Sequence, residues 1–344
     1  MKFKAAILIK CKKPLAIEEI NLNPLKKGQV LLKILKTGIC RSQIFEINGD
    51  RGEDKWLPHL LGHEAIGEVV DIGKSVKKVA IGDKVIASWI SSKGISAEPA
   101  KYSLGGITIN GGQITTFSEF SVCSENKLIK VSNNAIKLIG PTLGCAIPTG
   151  YGITINENRL KKAKFVGVLG LGGIGISAIV GAKNNSKSKV IGIDINNERL
   201  KDAKNLGADF LINSKETHLE KEIKKITNGE MLDMLIECSG SIVGLNSSLK
   251  IINNNGMVKF ATHPKHGDLL SIDPFELIKG KKIEGSWGGG VNPDKDLKRI
   301  VSDIQENDVF IEMMNQDEYK LEEINTALSD MSQGKVLRPI IKMD

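Results

Sequence analysis

Hydrophobic residues are spaced in two different ways along this chain, and the change falls near residue 150. Up to about residue 145 they come in short runs, such as Val30-Leu-Leu-Lys-Ile-Leu35 and Gly67-Glu-Val-Val-Asp-Ile72, broken by Gly, Pro and Asn. Short runs bounded by turn formers predict a β-rich region. Gly82-Asp-Lys-Val-Ile-Ala87 reads as a turn entering a strand. Between about 90 and 115 Ser, Gly and Lys take over, which predicts a long surface loop. Beyond about 150, apolar runs alternate with helix-spaced stretches. Strands are expected at Phe165–Leu169, Val190–Asp194, Phe210–Ile212, Leu232–Cys238 and Met257–Ala261. Helices such as Asn197–Leu206 and His218–Thr227 fall between them. Strand–helix alternation predicts an α/β, doubly wound parallel sheet. After about 287 mixed elements return, with a last strand over Leu337–Met343.

One stretch of the second region carries chemistry. Phe165-Val-Gly-Val-Leu-Gly170-Leu-Gly172-Gly173-Ile-Gly175-Ile is an apolar run, then a glycine turn, then the opening of a helix. Gly170 permits the turn, Gly172 lets backbone approach a pyrophosphate, and Gly175 lets the helix pack on the strand. The triplet alone matches many glycine-rich turns. The next strand strengthens it, because Asp194 ends that strand 19 residues past Gly175. That is the place of an acid that binds an adenosine ribose. Taken by itself, Asp194 reads as a cap for the helix Asn196 to Leu206; with the whole strand–turn–helix–strand series present, the nucleotide reading is preferred.

Composition narrows the classes. A chain of 344 residues, 41% hydrophobic, is long enough for two domains. No apolar run approaches the roughly 20 residues of a membrane span, and the N-terminus reads as a first strand and not a signal peptide. The expected compartment is the cytoplasm. The formal charge is +8, but the lysines are scattered and form no basic block. A nucleic-acid partner is therefore not expected, and neither is a membrane. Five cysteines, at 11, 40, 123, 145 and 238, show no framework spacing, so structural disulfides are not expected.

Three places in the first half hold side chains suited to zinc: Gly38-Ile-Cys40-Arg-Ser-Gln43, Leu61-Gly-His63-Glu64 and Leu143-Gly-Cys145. Two thiolates and an imidazole would offset the charge of Zn²⁺ and leave one tetrahedral position open. Each residue also has a plainer reading. A single cysteine is often a small buried hydrophobe, and a single histidine a hydrogen-bonded structural residue. The spacing is too wide for a closed local finger.

Taken together and in order, these motifs resemble those of the medium-chain, zinc-dependent alcohol dehydrogenases over essentially the full length. The matching residues are Gly38-Ile-Cys40-Arg-Ser42, Gly62-His63-Glu64-Ala-Ile-Gly67, Gly82-Asp-Lys-Val85, Gly144-Cys145, Thr149-Gly150-Tyr151, Gly170 to Gly175, Asp194 and Leu206-Gly-Ala-Asp209. The resemblance implies a GroES-like β-rich catalytic domain over 1–148 and 287–344. It also implies an NAD-binding Rossmann domain over 149–286. The implied ligands of a catalytic zinc are Cys40, His63 and Cys145. Glu64 matches a carboxylate beside the metal, and Ser42 the hydroxyl that takes the substrate proton. Arg41 and Arg338 match arginines that reach the cofactor pyrophosphate. Thr149 matches a residue on the nicotinamide, and Arg199 a basic residue near the adenosine ribose. Gly170, Gly172, Gly173, Gly175 and Asp194 complete the cofactor set. Trp89 falls where the family places a bulky residue against substrate, and reads equally as a loop anchor.

Three departures stand out. The family's structural-zinc lobe carries four close cysteines near 90–110, and this chain has none between Cys40 and Cys123. One zinc per chain is therefore expected. Gln43 stands where many members carry Asp, and Phe45 where several carry a relay histidine. The implied activity is hydride transfer between an alcohol, or the corresponding aldehyde or ketone, and NAD, with the site in a cleft between the domains. A polyol or sugar dehydrogenase on the same scaffold, or a non-catalytic nucleotide-binding scaffold, are the alternatives. A homo-oligomer, dimer or tetramer, is expected from the family.

Overall fold

The computed structural model describes residues 1–344, the side chain of Lys137 excepted. It divides into two compact units: Met1–Cys145 with Asn292–Asp344, and Ala146–Val291. Among the described residues no helix is long and apolar enough to cross a membrane.

The first unit is built around the strand Gln29–Gly38. Its apolar run is buried on both faces. Val30, Leu32 and Ile34 enter one core with Ala65, Val69, Val85 and Ala87. Leu31 enters another with Phe3, Ile7, Ile20, Tyr102 and Val122. Burying a side chain of this size stabilises by about 1.5–3 kcal/mol, which fixes the strand between two layers. One layer is a closed barrel of Lys2–Leu8, Ala16–Leu22, Ala100–Leu104, Ile107–Gly112 and His59–Leu60. The other is a sheet ordered Leu128–Lys130, Lys84–Ser88, Glu64–Ile72, Gln29–Gly38, Ile340–Lys342, Glu318–Lys320, with Phe120–Ser124 also pairing to Gln29–Gly38.

Two expectations are corrected here. The stretch 90–115 is not one long loop, because Ala100–Leu104 and Ile107–Gly112 form a hairpin of the barrel. Gly105 and Gly106 both have positive φ, 55° and 87°. That is the backbone a two-residue hairpin turn needs. Tyr102 and Ile109 are buried, and the Tyr102 hydroxyl accepts the Val122 N–H at 2.8 Å. The inward positions alternate with polar ones, so average composition hides them. The last strand is also shorter than expected, Ile340–Lys342. Pro339 has no N–H to give a ladder, and its carbonyl instead accepts the Ile39 N–H at 2.9 Å.

The second unit holds a six-stranded sheet, ordered Phe210–Asn213, Lys189–Asp194, Phe165–Leu169, Leu232–Glu237, Ile252–Phe260, Lys282–Gly285. Every pairing is parallel. In chain order this is 3-2-1-4-5-6, the doubly wound arrangement that binds dinucleotides where the order reverses. The reversal lies beside Phe165–Leu169, the strand that feeds the glycine turn.

Candidate metal centre and dinucleotide turn

In the first unit, three segments bring their donors together. Cys40 lies in extended conformation just before the helix Arg41–Ile47. His63 follows Gly62, whose φ of +88° and lack of a Cβ let the chain turn against Thr116 and Phe117. Cys145 follows the one-turn helix Pro141–Gly144. A Cβ on Gly144 would overlap the Ala87 carbonyl and Glu64, and the Ser88 hydroxyl donates to the Gly144 carbonyl at 2.7 Å. Glycine therefore presses this segment onto the sheet.

The donor atoms of Cys40, His63 and Cys145 all lie within 4.8 Å of one another. His63 Nε2 is 3.2 Å from Cys145 Sγ, which is 3.9 Å from Cys40 Sγ. Gln43 ties two of the three. Its Oε1 accepts the Cys40 N–H at 2.7 Å, and its Nε2 lies 2.6 Å from His63 Nδ1. The hydrogen bond from Cys145 holds the Cys40 thiol well below its ordinary range against the opposing effect of burial, with help from Arg338 and His63. The same bond and burial push Cys145 up. Two sulfurs and an imidazole this close form a donor set that fits Zn²⁺, whose charge would let both sulfurs ionise.

Behind the ligands lies a buried ion pair. Glu64 is fully buried and accepts from Arg338 Nη2. Gly38 makes room for it, since a Cβ there would overlap the carboxylate. Burial raises the Glu64 pKa, and Arg338 pulls it back. Among the described residues, Glu64 Oε2, Arg338 Nε and Ser42 Oγ are buried without a hydrogen-bond partner. Arg338 is only 3% exposed. It is thus the counter-ion of Glu64. Arg41 is exposed, with its guanidinium carbon 5.9 Å from the centre of the Phe45 ring. Trp89 follows the strand Lys84–Ser88, and its ring meets that of His63 at 6.4 Å between centroids, inclined by 62°.

In the second unit, Gly170 has φ +85°, and a Cβ there would overlap Ser239. A Cβ on Gly175 would overlap the Gly170 carbonyl oxygen. Both positions demand glycine. Gly172 differs, because a Cβ there meets nothing within 4 Å. It caps the helix Gly173–Asn185, so the surface it leaves bare is a helix N-terminus with free N–H groups. Asp194 Oδ2 accepts the Leu171 N–H at 2.6 Å, and Oδ1 the Asn196 N–H at 2.9 Å. The acid thereby pins the turn to the next strand. Arg199 pairs with Asp202 at 3.2 Å. Thr149 is buried on the helix Ala146–Asn156.

Residues 26–133 match the alcohol dehydrogenase GroES-like domain, and residues 173–306 the zinc-binding dehydrogenase domain. S-(hydroxymethyl)glutathione dehydrogenase of Escherichia coli O1:K1 / APEC is 30% identical over 371 residues, covering 99% of this chain and 100% of that protein. Benzyl alcohol dehydrogenase from Acinetobacter calcoaceticus superposes with a TM-score of 0.88 at 27% identity, with 100% of both chains covered. An alcohol dehydrogenase zinc-binding domain protein from Burkholderia ambifaria gives 0.88 at 25% identity, covering 100% of this chain and 99% of that one. With cluster and glycine turn built by one sequence, the chain belongs to the medium-chain, zinc-dependent alcohol dehydrogenase family and is an oxidoreductase of alcohols and the corresponding carbonyls.

Proposed function

We propose that this enzyme works with NAD and with one catalytic zinc per chain, held by Cys40, His63 and Cys145. The observation that carries this reading is the convergence of those three donors in a chain that also builds the strand–glycine turn–helix unit. Bound at these sites, zinc would supply a Lewis acid for the substrate oxygen, and NAD the acceptor of the hydride.

The chain's own residues do the rest. Ser42 offers a buried hydroxyl without a partner, suited to accept the alcohol proton and donate its own onward. Phe45 cannot carry that proton further, so Ser42 would hand it on to a cofactor ribose hydroxyl or to water. Glu64, balanced by Arg338, places a carboxylate behind the ligands. The helix N-terminus at Gly172 and Gly173 would cradle a pyrophosphate, and Arg41 is assigned to the same group. Thr149 is assigned to the nicotinamide, Arg199 to the neighbourhood of the adenosine ribose, and Trp89 to the substrate wall. Asp194 keeps lone pairs for ribose hydroxyls and would repel a 2′-phosphate, which favours NAD over NADP.

One zinc is supported by what holds the segment 90–99, which contains no cysteine. Glu125 accepts the backbone N–H groups of Lys77, Lys78 and Ile95 at 2.5 to 2.7 Å. The Ser124 hydroxyl accepts that of Ala97 at 2.7 Å. A cytoplasmic homo-oligomer, dimer or tetramer, completes the proposal on family grounds. The substrates named for the relatives, S-(hydroxymethyl)glutathione and benzyl alcohol, make aromatic and thiol-derived alcohols the first to try.

The test is a panel of alcohols, polyols and aldehydes with NAD(H) and NADP(H), with zinc counted per chain after dialysis. Turnover with NAD, abolished by a chelator, and a single zinc are expected. Two tightly held zincs would sink the one-metal claim, none would sink the mechanism, and equal kcat/KM for both cofactors would refute the NAD preference.

A further inference from the structure

Trp89 has no regular element of its own to fix it. It stands just past the end of the strand Lys84–Ser88, at the start of a segment that runs without regular structure to Ala100. Its backbone is nevertheless anchored. Lys127 Nζ donates to the Trp89 carbonyl at 2.7 Å and to Ser91 Oγ at 2.8 Å. Lys127 is only 9% exposed, although lysine is among the residues least often buried. It ends the one-turn helix Glu125–Lys127, whose Glu125 is itself 2% exposed and holds three backbone N–H groups. The ammonium therefore extends from a fixed base to a fixed carbonyl. Burial lowers the Lys127 pKa, so the position works against keeping a charge there. A buried ammonium held by two acceptors on one short segment needs a reason beyond solubility.

We infer that Lys127 is a positioning residue that sets where the Trp89 ring stands against His63, and through it which alcohols fit the site. The inference rests on the alcohol reading above. Lys127 touches neither the three donors nor, by this argument, the substrate. It holds the carbonyl of the residue whose ring does.

The test uses the full-length enzyme with Trp56 and Trp287 changed to phenylalanine, which leaves Trp89 as the only tryptophan. In this background Lys127→Met should make Trp89 emission easier to quench with acrylamide. Zinc per chain should stay unchanged. The ratio of kcat/KM for benzyl alcohol to that for ethanol should move by about tenfold, mainly through KM. Lys127→Arg, which keeps a donor, should return both readouts toward the reference. If Lys127→Met does not fold, Ser91→Ala, at an exposed position, should move both readouts less and in the same direction. Unchanged quenching would overturn the tether. A changed quenching with an unchanged alcohol ratio would overturn the link to specificity. Absence of turnover by the unmodified enzyme would instead remove the alcohol reading, while the quenching result, which needs no turnover, would still decide the tether.

Discussion

The glycine turn of the second unit and the cysteine–histidine cluster of the first reach their geometry by opposite means. The turn depends on atoms that are missing. Gly170 and Gly175 stand where any Cβ would overlap backbone, and its one important side chain, Asp194, accepts two N–H groups. The cluster depends on atoms that are present and charged. Two sulfurs and an imidazole are backed by a fully buried carboxylate and a nearly buried guanidinium. Glycine serves there too: Gly38 makes room for the Glu64 carboxylate, Gly62 supplies a φ of +88°, and Gly144 lies against the Ala87 carbonyl, but the chemistry of the cluster comes from its side chains. The turn should therefore fail by steric crowding and ignore chelators. The cluster should fail by loss of charge balance or metal and tolerate small changes of volume at its edge.

The largest effect expected is at the cluster. Ser42→Ala should lower kcat by about 10²–10⁴-fold, with zinc content and NAD affinity unchanged. Near-normal turnover with a true substrate would take Ser42 out of the mechanism and point to another proton carrier. At the turn, Gly175→Ala should cost about 3 kcal/mol of stability or abolish NAD binding, because a methyl would have to displace the Gly170 carbonyl. Urea unfolding and NAD titration would measure it. The folded fraction should keep its zinc, and zinc loss there would break the separation drawn between the two sites.

Gln43→Ala should weaken zinc binding by about 10–100-fold, read by competition with a chelator. It removes the amide that joins Cys40 to His63 and leaves the backbone of the turn untouched. The smallest effect sharpens the contrast within the second unit. Burial pushes Asp209 up, but the Val190 N–H, Lys183 and Lys189 outweigh it and hold its pKa at about 2, below the ordinary 3.8. A depressed carboxylate stabilises the fold above its unfolded pKa, and the contribution disappears as pH falls through the folded one. Asp209→Asn should thus cost about 1–2 kcal/mol at pH 7 and progressively less from about pH 4 down to pH 2. Equal losses at pH 7 and pH 2.5 in urea unfolding would show that the carboxylate's charge is not what matters.

Legibility followed the same division. The glycine turn and its acid lie in one stretch of strand, turn, helix and strand, so local periodicity and spacing expose them. The ligands at 40, 63 and 145 are joined only by folding, and their spacing alone does not mark a metal site; the family resemblance does. The hairpin Ala100–Leu104/Ile107–Gly112 was hidden because Ser, Lys and Gly outnumber its inward residues, although Gly105-Gly106 between two apolar stretches was a usable signal. Nothing local marks Arg338 as the partner of Glu64, or Lys127 as the anchor of Trp89. Those pairings depend on which strands become neighbours, and no window of sequence contains that information.

The Glu64–Arg338 pair also has a consequence for how the chain is made. Its two residues are separated by 274 positions. At about 5–20 residues per second, a ribosome needs on the order of tens of seconds to travel that distance. Throughout that time the nascent chain carries Glu64 without Arg338 to meet it, and the sheet lacks Ile340–Lys342, the strand between Gln29–Gly38 and Glu318–Lys320. Ala146–Val291 emerges complete within the same interval. Synthesis therefore delivers the whole of the dinucleotide unit before the metal unit, begun first, receives its last strand and its balancing charge.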